Sequence, residues 1–264
     1  DFTINALYAD EHGEITDPTG GLSDIAQRRV RFIGDADARI LEDHLRILRF
    51  FRFHAIYGDP SNGIDPDALA ACAQHADHLS RLSRERVGTE MRKLLAAPDP
   101  APAVAAMRSA GVLARVLPGA EDGFLAPLVH LEENWAPSFL RRLAILGGEN
   151  MVENLRLSKV DAKELQLFHT ELRNMSSARE LGYRHGIVTG LDVLLLRGAF
   201  SNSAPKPQEL DQLREGAVAV FPIKSSDLMP EFEGPALGQK LKELEDKWIA
   251  SAFQLTKSDL LKRG

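Results

Sequence analysis

From Ala36 to the end of the chain, apolar residues recur at the three- and four-residue spacing of helices, and short loops are the only interruptions. That pattern restricts the fold more than any other feature. Asp37 is the predicted N-cap of a first long helix that runs through Ile40, Leu41, Leu45, Ile47, Leu48 and Phe51 to Tyr57, where Gly58-Asp59-Pro60 stops it. Two more helices are predicted over 66–79 and 81–97, divided near Ser80, before Asp99-Pro100-Ala101-Pro102 breaks the pattern. Others fall at about 102–110, 123–133, 137–147, 159–173, 176–184, 187–199, 207–220 and 235–250. Gly147-Gly148 and 201–207 read as loops, and 222–235 as an irregular connector. No fixed-period repeat occurs, so a solenoid is not expected.

Residues 1–34 follow a different pattern. Asp10-Glu11-His12-Gly13-Glu14 is a turn between short apolar stretches, the signature of a hairpin, and Asp17-Pro18-Thr19-Gly20-Gly21 is a second turn. Val30-Arg31-Phe32-Ile33 alternates like a short strand. The chain opens Asp1-Phe2-Thr3-Ile4-Asn5-Ala6-Leu7-Tyr8 without Met, and reads as the middle of a longer unit. The predicted fold is mainly α, a helical body preceded by a small α/β remnant.

Composition then narrows the class. With 264 residues, 44% of them apolar, a core forms without disulfides or metal. Cys72 is the only cysteine, so no internal disulfide is possible and a reducing, cytoplasmic setting is expected. No apolar run approaches the ~18 residues of a membrane span, and no signal peptide opens the chain. The balance of 32 basic against 38 acidic residues argues against a general cationic coat but leaves room for a local basic groove.

The most informative segment is Glu42-Asp43-His44-Leu45-Arg46-Ile47-Leu48-Arg49-Phe50-Phe51-Arg52-Phe53. Three arginines three apart form a slowly winding row on a helix, and Asp43 precedes Arg46 in the same row. A guanidinium forks two donors at phosphate oxygens, which suits Arg49 and Arg52. Asp43 and Arg46 set an acceptor beside donors, which is what a base edge with an exocyclic amine requires; cytosine and adenine carry one. The plainer reading is a solvated face with ion pairs three residues apart. Three arginines beside only two acids leave some positive charge over, which moves the balance modestly towards an anion site and leaves the plainer reading open.

This segment resembles the neck motif of class II tRNA nucleotidyltransferases, the family of CCA-adding enzymes and bacterial poly(A) polymerases. Every position of Glu-Asp, Arg, Arg and Arg-Phe matches. Asp1 to Ala6 resembles the second half of the family's Arg-Arg-Asp-Phe-Thr-x-Asn-Ala motif. Asp17-Pro18, Gly20-Gly21 and Asp24-Ile25 resemble its connector between head and neck. Ser83-x-Glu85-Arg86 with Glu90 and Lys93 resembles the next helical motif, and Gly234-Pro235-Ala236-Leu237-Gly238, Leu241, Leu244 and Trp248-Ile249 the tail.

The resemblance implies that Asp43 and Arg46 select the base of CTP or ATP, and that Arg49 and Arg52 hold the triphosphate. It implies that Asp1 bonds the ribose and Asn5 shapes the pocket. Gly20 and Gly21 become a hinge between head and neck, and Glu85 and Arg86 brace the neck helix. It divides the chain into a head remnant (1–34), a neck (35–100), a body (101–200) and a tRNA-binding tail (201–264). The activity implied is addition of nucleotides to an RNA 3′ end, CCA to tRNA, with a poly(A) polymerase of the same family as the alternative. The family's Mg2+-binding Asp-x-Asp pair precedes its Arg-Arg-Asp motif and has no counterpart here, so this chain alone is expected to be inactive. A non-catalytic helical RNA-binding module is the rival, and it predicts that Asp43 and Arg46 pair with each other. An HD-type phosphohydrolase is disfavoured, because no adjacent His-Asp pair occurs.

Other features carry less. Cys72, His75 and His78 run three apart, but a zinc site there lacks a convincing fourth ligand beyond nearby Asp77, and helix-surface residues are the simpler reading. Arg81, Arg84, Arg86, Arg92 and Lys93 make a basic helix, either a solvated face or an RNA-backbone contact; Arg141 and Arg142 are weaker candidates for that contact. Trp135 and Trp248 are expected in the core, and Val193-Leu194-Leu195-Leu196 reads as a buried helix face.

Overall fold

The computed structural model describes residues 1–262. Two short strands, β1 (Tyr8–Ala9) and β2 (Ile15–Thr16), pair antiparallel as the predicted hairpin, Tyr8 opposite Thr16. The helices that follow are α1 (Gly21–Ala26), α2 (Ala36–Glu42), α3 (Leu45–Tyr57), α4 (Pro66–Gln74), α5 (Arg84–Leu95), α6 (Ala101–Ser109), α7 (Val112–Val116) and α8 (Leu125–Leu131). Next come α9 (Phe139–Leu146), α10 (Met151–Asn154), α11 (Lys159–Asn174), α12 (Ala178–Ser201), α13 (Pro207–Val218), α14 (Gly234–Ala250) and α15 (Lys257–Leu261). None of the described helices is long and apolar enough to cross a membrane.

Contacts divide the chain into two compact units, residues 1–170 with 196–203, and residues 171–195 with 204–264. The first is built round α3, whose Leu45, Ile47, Leu48, Phe50 and Phe51 are buried while its arginines lie on the other side. Its main neighbours are α5 and α6. The second unit has a core of Ile223, Leu228, Leu244, Trp248 and Leu260. Within it Gly182 of α12 and Gly216 of α13 allow the two backbones to touch, since a side chain at either would collide with a carbonyl of the other helix.

Several expectations need correction. The first long helix is two helices: Asp35 caps α2 by accepting from the Ala38 N–H, and the chain breaks at Asp43, which is extended (φ −155°, ψ 108°). Apolar spacing runs on across that break, so periodicity does not reveal it. The predicted helices over 176–184 and 187–199 are joined in α12, with Gly186 non-helical at φ 77° between them. The strand expected at Val30 to Ile33 is reduced to a single antiparallel bridge, Phe2 to Phe32. Trp248 is buried as expected, but Trp135 is 37% exposed. Helices α1, α7, α10 and α15 are short and had no periodic signal to announce them.

Arg141 and Arg142, offered as RNA contacts, are buried instead. Arg141 Nε donates to Glu132 Oε1 at 2.6 Å and Arg142 Nε to Oε2 at 2.7 Å. Arg142 also donates to the carbonyls of Leu95, Ala97 and Pro98, which close the C-terminal end of α5.

Candidate functional site

Phe2 sets the geometry. Its ring is fully buried against Phe32, Phe50 and Phe53, with centroids 5.0, 6.2 and 4.8 Å away. Backbone bonds from Thr3 N–H to Arg31 O and from Ile33 N–H to Asp1 O flank that anchor. The first residues are thereby laid across α3, and Asp1 lands on its arginine row. Asp24, fully buried, ties the same segment from beneath: it accepts from Thr3 Oγ1 at 2.6 Å, from Arg29 at 2.7 Å and from Arg31 at 2.6 Å. Burial would raise its carboxyl, but Thr3, Arg31 and Arg29 together hold it below the usual range.

The Asp1 carboxylate is held between Arg46 Nε at 2.8 Å and Arg49 Nε at 2.5 Å. Arg46 also meets Glu42 at 2.5 Å and donates to the Arg39 carbonyl at 2.6 Å. Arg52 lies 3.1 Å from Glu90 of α5, both largely buried, with its guanidinium 4.9 Å from the Phe53 ring centroid. The row is therefore not short of acids: Asp1 from the opening segment, Glu42 from α2 and Glu90 from α5 reach it.

Asp43 and Arg46 take different partners. Asp43 Oδ1 accepts from the Leu45 N–H at 3.1 Å, and Oδ2 accepts from Arg86 Nη2 at 2.7 Å. Partial burial works to raise the Asp43 carboxyl, yet the Arg86 hydrogen bond, the Leu45 N–H and the charges of Arg86 and Arg46 hold it below the usual carboxylate range. It is a charged acceptor at neutral pH.

The structure brings Asp1, Asp43, Arg46, Arg49, Arg52 and Arg86 round one face of α3. Glu85 is not among them; it meets Arg156 at 2.9 Å. Glu90, noted in the sequence only as part of a motif, is the acid of α5 that reaches the row. Nothing in one sequence separates the two, because a helix turn of 100° per residue decides which faces α3. Asn5 is exposed, and its Oδ1 accepts from the Phe2 N–H at 3.0 Å. It borders a cavity of about 560 Å³ lined also by Ile25, Arg28, Phe53, Ile56 and Tyr57. Gly20 has φ 76°, and a side chain on Gly21 would collide with the Thr3 carbonyl, so this pair lets α1 start hard against the opening segment at Thr3.

The basic helix α5 is largely paired: Arg84 with Asn154, Arg86 with Asp43 and Arg92 with Asp161. Cys72 is fully buried and its thiol is pushed up by that burial, while His75 Nε2 lies 2.7 Å from Asp37. Among the described residues no group of three or more His, Cys, Asp or Glu could hold a metal ion.

Two family models match the chain: "Poly A polymerase head domain" over residues 1–31, and "Probable RNA and SrmB- binding site of polymerase A" over residues 63–124. The chain is 27% identical over 290 residues to CCA tRNA nucleotidyltransferase 1, mitochondrial, of Danio rerio, a match covering 99% of this chain and 64% of the relative. It is 34% identical over 238 residues to the CCA-adding enzyme of Geobacillus thermodenitrificans, covering 85% of this chain and 57% of that enzyme. It thus spans 57% to 64% of the length of these two relatives. In fold it is similar to the crystal structure of the Bacillus stearothermophilus CCA-adding enzyme in complex with CTP, with a TM-score of 0.75 at 24% identity, over 95% of this chain and 68% of that one.

Proposed function

The chain belongs to the class II tRNA nucleotidyltransferase and bacterial poly(A) polymerase family, and from that premise we propose that its protein adds nucleotides to an RNA 3′ end without a nucleic-acid template, CCA to tRNA from CTP and ATP. In this reading residues 35–100 are the neck, 101–200 the body and 201–264 the tRNA-gripping tail. Asp43 and Arg46 read the base, Arg49 and Arg52 hold the triphosphate, Asp1 bonds the ribose and Asn5 shapes the pocket wall. Gly20 and Gly21 form the hinge, and Arg86 braces Asp43.

One observation carries the reading: Asp43 and Arg46 are held apart by separate partners, Arg86 on one side and Asp1 on the other. A helix that merely neutralised itself would pair them. Held as they are, the carboxylate can accept from an exocyclic amine while the guanidinium donates to the neighbouring ring nitrogen or carbonyl. Uracil and guanine present the opposite polarity at that edge. Arg49 and Arg52 lie one and two turns further on, at the reach of a phosphate chain, and their present partners are carboxylates that phosphates can replace.

Phosphoryl transfer in such enzymes calls on divalent metal to activate the primer hydroxyl and neutralise pyrophosphate. The residues here do not fit that task, since no group of three or more His, Cys, Asp or Glu side chains that could hold a metal ion occurs among the described residues. The role proposed for this chain is therefore recognition of nucleotide and RNA.

The test is extension of tRNA lacking its CCA end by the intact protein, with labelled CTP and ATP. Addition of three nucleotides supports the reading, and Asp43→Ala should lose the preference for C and A over U and G. Long A-only tails would move the protein to the poly(A) branch. No nucleotide binding and no extension would leave the RNA-binding module.

A further inference from the structure

We propose that His44 is a positioning residue for base selection: its Nδ1–H caps α2, and its ring, stacked on His78, holds the joint from which Asp43 projects. The inference rests on the nucleotide reading of Asp43 given above.

A helix that stops leaves its last carbonyls without intrahelical donors. In α1, α4 and α5 the C-cap backbone N–H turns back to supply one. At the end of α2 the extended Asp43 points its backbone elsewhere, and side chains from the start of α3 do the work. Arg46 Nη1 donates to the Arg39 carbonyl at 2.6 Å, and His44 Nδ1 lies 2.8 Å from the Ile40 carbonyl. A carbonyl only accepts, so the hydrogen is on Nδ1. With Ile40 satisfied in this way, Asp43 is free to leave the helix, cap Leu45 with one oxygen and meet Arg86 with the other.

The ring is fixed as well as the nitrogen. His44 stacks on His78 with centroids 4.6 Å apart and planes 28° apart. His78 in turn lies 5.7 Å from His75, and His75 Nε2 returns to Asp37 in the first turn of α2 at 2.7 Å. The path leaves α2 at Ile40 and comes back to it at Asp37, so the rotamer of His44 is tied to α2 at both ends. The residue in the chain next to the base-reading carboxylate is thus clamped by contacts that involve neither Asp43 nor the arginine row.

The test separates donor from ring. Asparagine presents an N–H where Nδ1 stands, and phenylalanine keeps the ring without the donor. Binding of CTP, ATP, UTP and GTP is measured on the full chain for the parent, His44→Asn, His44→Phe and Asp43→Ala, with thermal melts as folding controls. The expected result is that His44→Phe lowers the CTP-over-UTP preference about three- to tenfold, the net worth of one hydrogen bond, while His44→Asn, which keeps the donor but loses the stack on His78, recovers part of that preference and not all of it. Two-bond 1H–15N spectra of the parent should show the Nδ1–H tautomer for His44. An Nε2–H tautomer overturns the proposal. So does a His44→Phe chain that keeps its preference while Asp43→Ala loses it, which leaves the nucleotide reading standing. If Asp43→Ala changes nothing, or the parent binds no nucleotide, the nucleotide reading fails and this inference falls with it.

Discussion

Glu132 has one buried carboxylate for two buried guanidiniums, and three backbone carbonyls take what Arg142 has left. Glu132→Ala should cost about 3–5 kcal/mol in urea denaturation, because it leaves both cations desolvated without their acid. Glu132→Gln should fall between. The sequence shows Arg141-Arg142 as a basic pair on a helix; that their acid lies across a loop is a fact of tertiary position. His54 gives a second test at this scale. The residue is only 7% exposed, and burial lowers its pKa below the ordinary value of about 6.5. The unfolded chain therefore binds the proton first as pH falls, so the neutral ring's contribution is full above about 6.5 and is lost below it, down through the lowered folded value. The urea midpoint should drop from pH 7 to pH 5, and His54→Phe should flatten that slope.

At the scale of elements, α5 shows how a local rule reverses. Glycine inside a helix ordinarily gives up about 1 kcal/mol to alanine. Gly88 is buried in α5, and a side chain there would collide with the carbonyl oxygen of Leu155, just after α10. Backbone cannot step aside as a side-chain tip can, so Gly88→Ala should destabilise by about 1–3 kcal/mol in the same assay. The longer helices from α3 to α14 were largely legible, because an amphipathic face repeats along the chain, and the short α7 and α10 were not. The α2–α3 break was not, because His44 and Arg46 make it by capping carbonyls, and a capping side chain leaves no period behind. Of the site residues, the arginine row and Asp43 were legible as a pattern. Glu90 became distinguishable from Glu85 only once α5 was set against α3.

For the molecule as a whole, each of the two units carries one tryptophan. Trp135 is 37% exposed in the first, and Trp248 is 4% exposed in the core of the second. Acrylamide should quench Trp135 in the Trp248→Phe variant far more readily than Trp248 in the Trp135→Phe variant; equal quenching would contradict the assigned burial. The chain by itself determined the helical class, the hairpin and the order of the motifs, since those are written in local spacing and in turn chemistry. It also held the family resemblance, which rests on landmarks in sequence order. Only the tertiary structure decided that Asp1 crosses forty-five positions to sit between Arg46 and Arg49, that Asp43 answers to Arg86, and that Arg141 and Arg142 are internal. The physical reason is that a charge is paired by whatever element packing brings within about 4 Å, and sequence spacing records only the neighbours along one element.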